Sequence, residues 1–127
     1  MKIAVFGSLM AGNEHHDEFL DEATYLGEFN SEPKYNLYKM GKEPVIKLEG
    51  ISSVRMEVFR LSKANLNNIG ALRGFIKNNH ADNVTNRKVI ITPYGRALLF
   101  AYNGKVDKLN MIPTGDWKDY KSYAKIQ

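Results

Sequence analysis

Apolar and polar positions along the chain change period several times, and each change marks an element. Residues 2–6 form a short apolar run stopped by Gly7-Ser8, the pattern of a strand feeding a tight turn. Asn13 then stands where it can cap a short helix through about Ala23, with Glu14, Asp17 and Glu18 in the first turns, where negative charge is favourable. Tyr25, Leu26 and Phe29 predict an extended segment around Gly27. Residues 34–40 predict a strand between Pro33 and Gly41, and residues 44–48 a second that leads into a turn at Gly50.

The clearest alternation runs from Val54 to Leu61. Val54, Met56 and Val58 share one face, while Arg55, Glu57 and Phe59 share the other. Ser62 then caps a helix whose Leu66, Ile69 and Leu72 recur every three residues. Gly70 weakens that helix and Gly74 ends it. Residues 77–86 read as a polar connection. Two strands, 88–92 and 96–102, form a hairpin through Pro93-Tyr94-Gly95. From Asn103 the pattern predicts a peripheral polar tail in which Trp117 is pinned onto the body. The fold class expected is α/β, mixed: a small incomplete barrel of mixed strands with short flanking helices, in one domain over 1–127.

Composition narrows the function classes. The chain has 127 residues, 43% hydrophobic and 25% charged, which is ordinary for a globular domain able to bury about two thirds of its unfolded surface. It has no cysteine, which removes disulfides, thiolate metal sites, iron–sulfur clusters and cysteine nucleophiles together. The apolar N-terminal run is too short for a signal peptide, and nothing approaches a membrane span of about 18 apolar residues, so a cytoplasmic location is expected. The net charge of +4 hides an asymmetry: residues 1–50 carry 5 Lys+Arg against 9 Asp+Glu, and residues 51–127 carry 13 against 5. The basic residues are scattered rather than clustered, which fits a solvated face better than a nucleic-acid surface.

Candidate chemistry begins at Gly7-Ser8-Leu9. A glycine ending a strand lets the backbone turn sharply, and successive N–H groups in such a turn can hold a carboxylate; an ordinary turn has the same signature. The adjacent His15 and His16, with His80 distant, do not make a metal-binding spacing. Ser8 lacks the partners of a hydrolase triad. Tyr94, Tyr102 and Trp117 can line a pocket or close a core.

The order of several segments adds a family resemblance. Phe6-Gly7-Ser8-Leu9 continuing to Gly12-Asn13-Glu14-His15-His16, then Leu26-Gly27, the Tyr35–Tyr38 strand, Gly41, Pro44, the strand carrying Met56-Glu57-Val58-Phe59, and Gly115-Asp116-Trp117 resemble the gamma-glutamylcyclotransferase-like (AIG2-like) family over almost the whole chain. The resemblance implies that Phe6, Gly7, Ser8 and Leu9 hold a substrate. It also implies a glutamate at the end of the second helix that accepts a proton from the substrate's α-amine, which attacks the γ-carbonyl and releases 5-oxoproline. A carboxylate is needed because an ammonium is no nucleophile until its proton leaves.

The family's Leu-Asp-x-Leu-Glu-Gly segment reads Ile69-Gly70-Ala71-Leu72-Arg73-Gly74 here. Arg73 stays protonated and cannot accept that proton, and no Asp or Glu occurs between Val58 and Ala81. The expectation is therefore a domain that binds a small anionic or γ-glutamyl-type ligand through Phe6, Gly7, Ser8, Leu9 and Arg73 without the standard mechanism. The alternatives are a cyclotransferase-type enzyme with a relocated acid, for which Glu57 is the first candidate and Asp82 the second, and a protein-interaction or virus-encoded accessory protein. No cofactor, metal, membrane or nucleic-acid partner is expected; the partner expected is a small molecule with a carboxylate or other anionic group, with a protein partner as the alternative.

Overall fold

A computed structural model describes residues 1–13, 15–74 and 83–126. Among them the elements run β1 (Lys2–Val5), α1 (His16–Leu20), β2 (Thr24–Asn30), β3 (Tyr35–Met40), β4 (Glu43–Ser52), β5 (Arg55–Arg60), α2 (Lys63–Leu72), β6 (Thr85–Thr92), β7 (Gly95–Tyr102), β8 (Met111–Ile112) and α3 (Trp117–Ile126). The strands form two open sheets, ordered β2-β5-β1-β7-β6 and β4-β3-β8, and no barrel closes. In the larger sheet β1 runs parallel to β7, while the β1–β5, β2–β5 and β6–β7 pairs are antiparallel.

The alternation along β1 and β5 divides the core in two. Ala4, Val54, Met56 and Val58 join Leu37, Ile46, Leu99, Ile112 and Trp117 in one buried cluster, which includes residues of both sheets. Ile3, Val5 and Phe59, on the opposite parity, join Leu20 of α1, Leu66 and Ile69 of α2 and Phe100 in the other. Burying both faces of the central strands is what lets a sheet of this size exclude water.

Three local expectations change. Asn13 does not cap α1: the helix starts later, at His16, with His15 in the cap position and no side-chain cap bond, because the Asn13 amide donates to the Gly7 carbonyl at 2.9 Å. Strand β4 does not stop at Gly50. It continues to Ser52, and its register on β3 shifts between the Tyr35–Ser52 and Asn36–Lys47 pairs. The segment from Asn103 is not a peripheral tail throughout: it adds β8 to β3 and sends the Gly115 carbonyl to the Arg55 N–H at 2.9 Å, while Trp117 is buried in line with its expected packing onto the body. The predicted Ser62 cap is present, its hydroxyl accepting from the Asn65 N–H at 3.2 Å. The β6–β7 hairpin turns through Pro93-Tyr94, with Thr92 opposite Gly95. Glu14 and most of the predicted polar connection, including His80 and Asp82, lie outside the described residues.

Candidate functional site

The loop after β1 is folded back on itself. Met10 N–H donates to the Gly7 carbonyl at 2.9 Å and His15 N–H to the Ser8 carbonyl at 3.0 Å, while the His16 ring nitrogen Nδ1 lies 2.9 Å from the Leu9 carbonyl. Ser8, Leu9 and Met10 are buried. Gly7 has no room for a side chain, because a Cβ there would lie 2.6 Å from Cγ of Pro44. The loop is therefore packed directly under the start of β4.

Glu57 holds the far side of this loop. Its Oε1 accepts the Ala11 N–H at 2.7 Å and its Oε2 the Lys118 ammonium at 3.0 Å. The residue is 3% exposed, so both oxygens are taken up by groups that orient the loop and anchor the start of α3. Buried carboxylates need such partners, since an unpaired one costs several kcal/mol, order of magnitude.

Arg73 arrives from α2. It is the C-cap residue of that helix, and Gly74 follows with φ +67°, the left-handed conformation that lets the chain turn off a helix end. The turn is fastened by Thr85, whose hydroxyl donates to the Arg73 carbonyl at 2.8 Å, and by Val84 N–H on the Gly74 carbonyl at 2.9 Å. A cation suits this position, where the helix carbonyls point outward. The guanidinium donates through Nη1 to Oε2 of Glu43 and through Nη2 to the Ser8 hydroxyl at 3.2 Å.

Glu43, the first residue of β4, is the junction of the cluster. Its Oε1 accepts the Ser8 hydroxyl at 2.7 Å and lies 3.1 Å from Nε2 of His15. Burial alone would raise this carboxyl. The Arg73 charge, hydrogen bonds from Ser8 and Arg73, and His15 more than offset that, and hold it below the ordinary carboxylate range. Glu43 is thus an anion at neutral pH, with its cation in contact.

Beside this cluster opens a hollow of about 360 Å³, lined by Phe6, Met40, Pro44, Val45, Ile46, Leu72, Val84, Thr85, Phe100 and Tyr102 together with Glu43 and Arg73. Glu43 and Arg73 are the only charged side chains among the described residues lining it. A wider hollow of about 470 Å³ lies between residues 29–35 and 89–93, and its charged side chains are Glu32 and Lys34, an exposed pair. The first hollow has the form expected of a ligand site, apolar walls with a few convergent polar groups.

Of the sequence-predicted residues, Phe6 and Arg73 line this hollow; Gly7 and Leu9 border a void of only about 10 Å³ beside it, together with Phe6 and Arg73; and Ser8 reaches the cluster through its hydroxyl. Glu57 lies behind the loop and does not line the hollow. Tyr102 is a wall, Tyr94 instead donates its hydroxyl to the Glu28 carbonyl at 2.9 Å, and Trp117 is in the core. Sequence reasoning missed Glu43 and the contribution of His15. The one available signal for Glu43 was that it precedes Pro44, already part of the family resemblance.

A family model described as gamma-glutamyl cyclotransferase, AIG2-like, matches residues 3–119. The chain belongs to this family. A gamma-glutamylcyclotransferase family protein of Escherichia coli K12, YtfP, is 36% identical over 121 residues, covering 94% of this chain and 97% of that protein. A putative gamma-glutamylcyclotransferase of Methanocaldococcus jannaschii is 30% identical over 94% of this chain and 97% of its own length. Among solved structures, the solution structure of E. coli YtfP aligns with a TM-score of 0.71 at 36% identity, over 95% of this chain and 99% of that one. A Pyrococcus horikoshii protein aligns with a TM-score of 0.81 at 24% identity, over 100% and 98%, which establishes the shared fold. In this family member, then, Arg73 and Glu43 form the charged pair at the loop after β1.

Proposed function

We propose that this gamma-glutamyl cyclotransferase family member binds a small γ-glutamyl-type ligand at the Ser8–Glu43–Arg73 cluster without a base at position 73. The observation that carries this reading is Arg73 itself. It occupies the position where the family resemblance expects a glutamate, and it is held by Glu43 and Ser8 at the edge of a ligand-sized hollow. The described residues engage two of the five guanidinium donors there, and a ligand carboxylate would take others. Glu43 offers an ionised oxygen to a ligand's α-ammonium. Its lowered proton affinity suits a fixed counter-charge better than a general base, whose affinity should lie near the working pH.

Titration calorimetry with γ-glutamyl amides and 5-oxoproline, paired with product analysis, tests this. Saturable heat with one ligand per chain and no 5-oxoproline formed is the expected result. A folded sample that gives no heat with any of them removes the reading. Glu43 also motivates a second reading, a relocated acid. Formation of 5-oxoproline that is abolished by Glu43→Gln and retained by Glu57→Gln would establish it. The reverse pattern would assign the role to Glu57.

A further inference from the structure

The hollow beside the Glu43–Arg73 pair has a chemistry of its own, and resting on the binding reading above it says what is attached to the γ-carbonyl of the ligand. Glu43 and Arg73, the two charged groups among the described lining residues, bond to each other. Away from them the described lining is mostly apolar: Phe6, Val45, Leu72, Val84 and Phe100, with Tyr102. Leu72 and Val84 are also among the large apolar side chains that remain solvent-exposed, as is Met40 of the same lining. Three exposed apolar residues gathered around one hollow are a cluster that gains by being covered.

The polar groups nearby do not change that character. Thr85 spends its hydroxyl hydrogen on the Arg73 carbonyl. The Lys47 ammonium stands beside Tyr102 but outside the lining, donating to the Tyr102 and Gly104 carbonyls at 3.3 and 2.9 Å and lying 5.9 Å from the Tyr102 ring centroid. A ligand tail ending in an ammonium would find no acid among the described lining residues except Glu43, which the α-ammonium of the head group takes. A tail ending in a carboxylate would lose its hydration against apolar walls.

We propose that the hollow selects γ-glutamyl conjugates of apolar amines, aromatic or aliphatic, over conjugates of charged amines. The glutamyl head group meets Glu43 and Arg73, and the apolar group lies against Phe6, Leu72, Val84 and Phe100. A volume of about 360 Å³ accepts a benzyl-sized group together with the head group.

Calorimetry with three probes that share the glutamyl head tests this: γ-glutamylbenzylamide, γ-glutamylglycine and the mono-γ-glutamyl amide of 1,4-diaminobutane. The benzylamide is expected to bind at least tenfold more tightly than either of the others, a difference of about 1.4 kcal/mol. Leu72→Asp places a carboxylate on the wall at a partly exposed position, and it should weaken the benzylamide while strengthening the diaminobutane conjugate. Affinities within threefold of one another, or a preference for a charged tail, overturn the selectivity and leave the binding reading standing. Selectivity unchanged in Leu72→Asp overturns its assignment to this hollow. Failure of all three probes to bind removes the binding reading, and the selectivity with it.

Discussion

Replacing Arg73 by Met keeps most of the aliphatic stem and removes the charge, so it isolates what the guanidinium does for Glu43. The Arg73 side chain is 14% exposed and that of Glu43 31%. The pair therefore lies between a surface ion pair, worth about 0.2–1 kcal/mol, and a fully buried one whose breaking costs about 3–5 kcal/mol. Solvent access to Glu43 brings the expected coupling to about 1–2 kcal/mol. Urea unfolding of the parent, Arg73→Met, Glu43→Gln and the double variant gives this coupling as a double-mutant cycle. Its pH dependence has a definite sign. The folded carboxyl of Glu43 is held below its ordinary value of 4.5, so its stabilisation is complete above about pH 4.5 and is lost as the pH falls through the lower folded value. The coupling should be present at pH 7 and shrink as the pH falls below 4.5 through the folded value. A coupling under about 0.3 kcal/mol at pH 7, or one that does not fall as the Glu43 carboxyl is protonated, would refute the assignment of Glu43 as the ionised partner of Arg73.

Two further outcomes follow from the groups that hold the site in place. Glu57→Ala removes the acceptor of the Ala11 N–H and the Lys118 ammonium; it should cost about 2–3 kcal/mol in urea unfolding and speed hydrogen exchange at the Ala11 amide, and unchanged exchange there would sink its role as the anchor of the loop. Gly74→Ala imposes a side chain at φ +67° with its Cβ 2.6 Å from Val84; a loss of about 1–2 kcal/mol is expected, with weaker ligand binding because Arg73 is the preceding residue, and full stability would contradict the geometry of this helix end.

Much of the fold was legible in local pattern. The alternation of Val54, Met56 and Val58 against Phe59 placed a strand with those residues on opposite faces, and they do divide between the two core clusters. Ser62 and Gly74 marked the ends of α2 because capping and left-handed turns depend on the residue itself. Local pattern failed where a distant partner competes for the same group. Asn13 has the chemistry of a helix cap, but Gly7 takes its amide once the loop folds back. The polar composition after Asn103 concealed β8, which exists because β3 offers an edge for Met111 and Ile112.

The sequence by itself determined the family pattern, the loop at Gly7-Ser8 and the arginine at position 73, since each is a matter of which residue stands where in a short segment. Tertiary structure decided which carboxylate faces that arginine. Glu57, the first candidate from sequence for a relocated acid because of its place on the strand before α2, lies behind the loop with Ala11 and Lys118. Glu43 stands 30 positions before Arg73. It comes to the site because β4 packs Pro44 onto Gly7, a contact that no periodicity within either segment encodes.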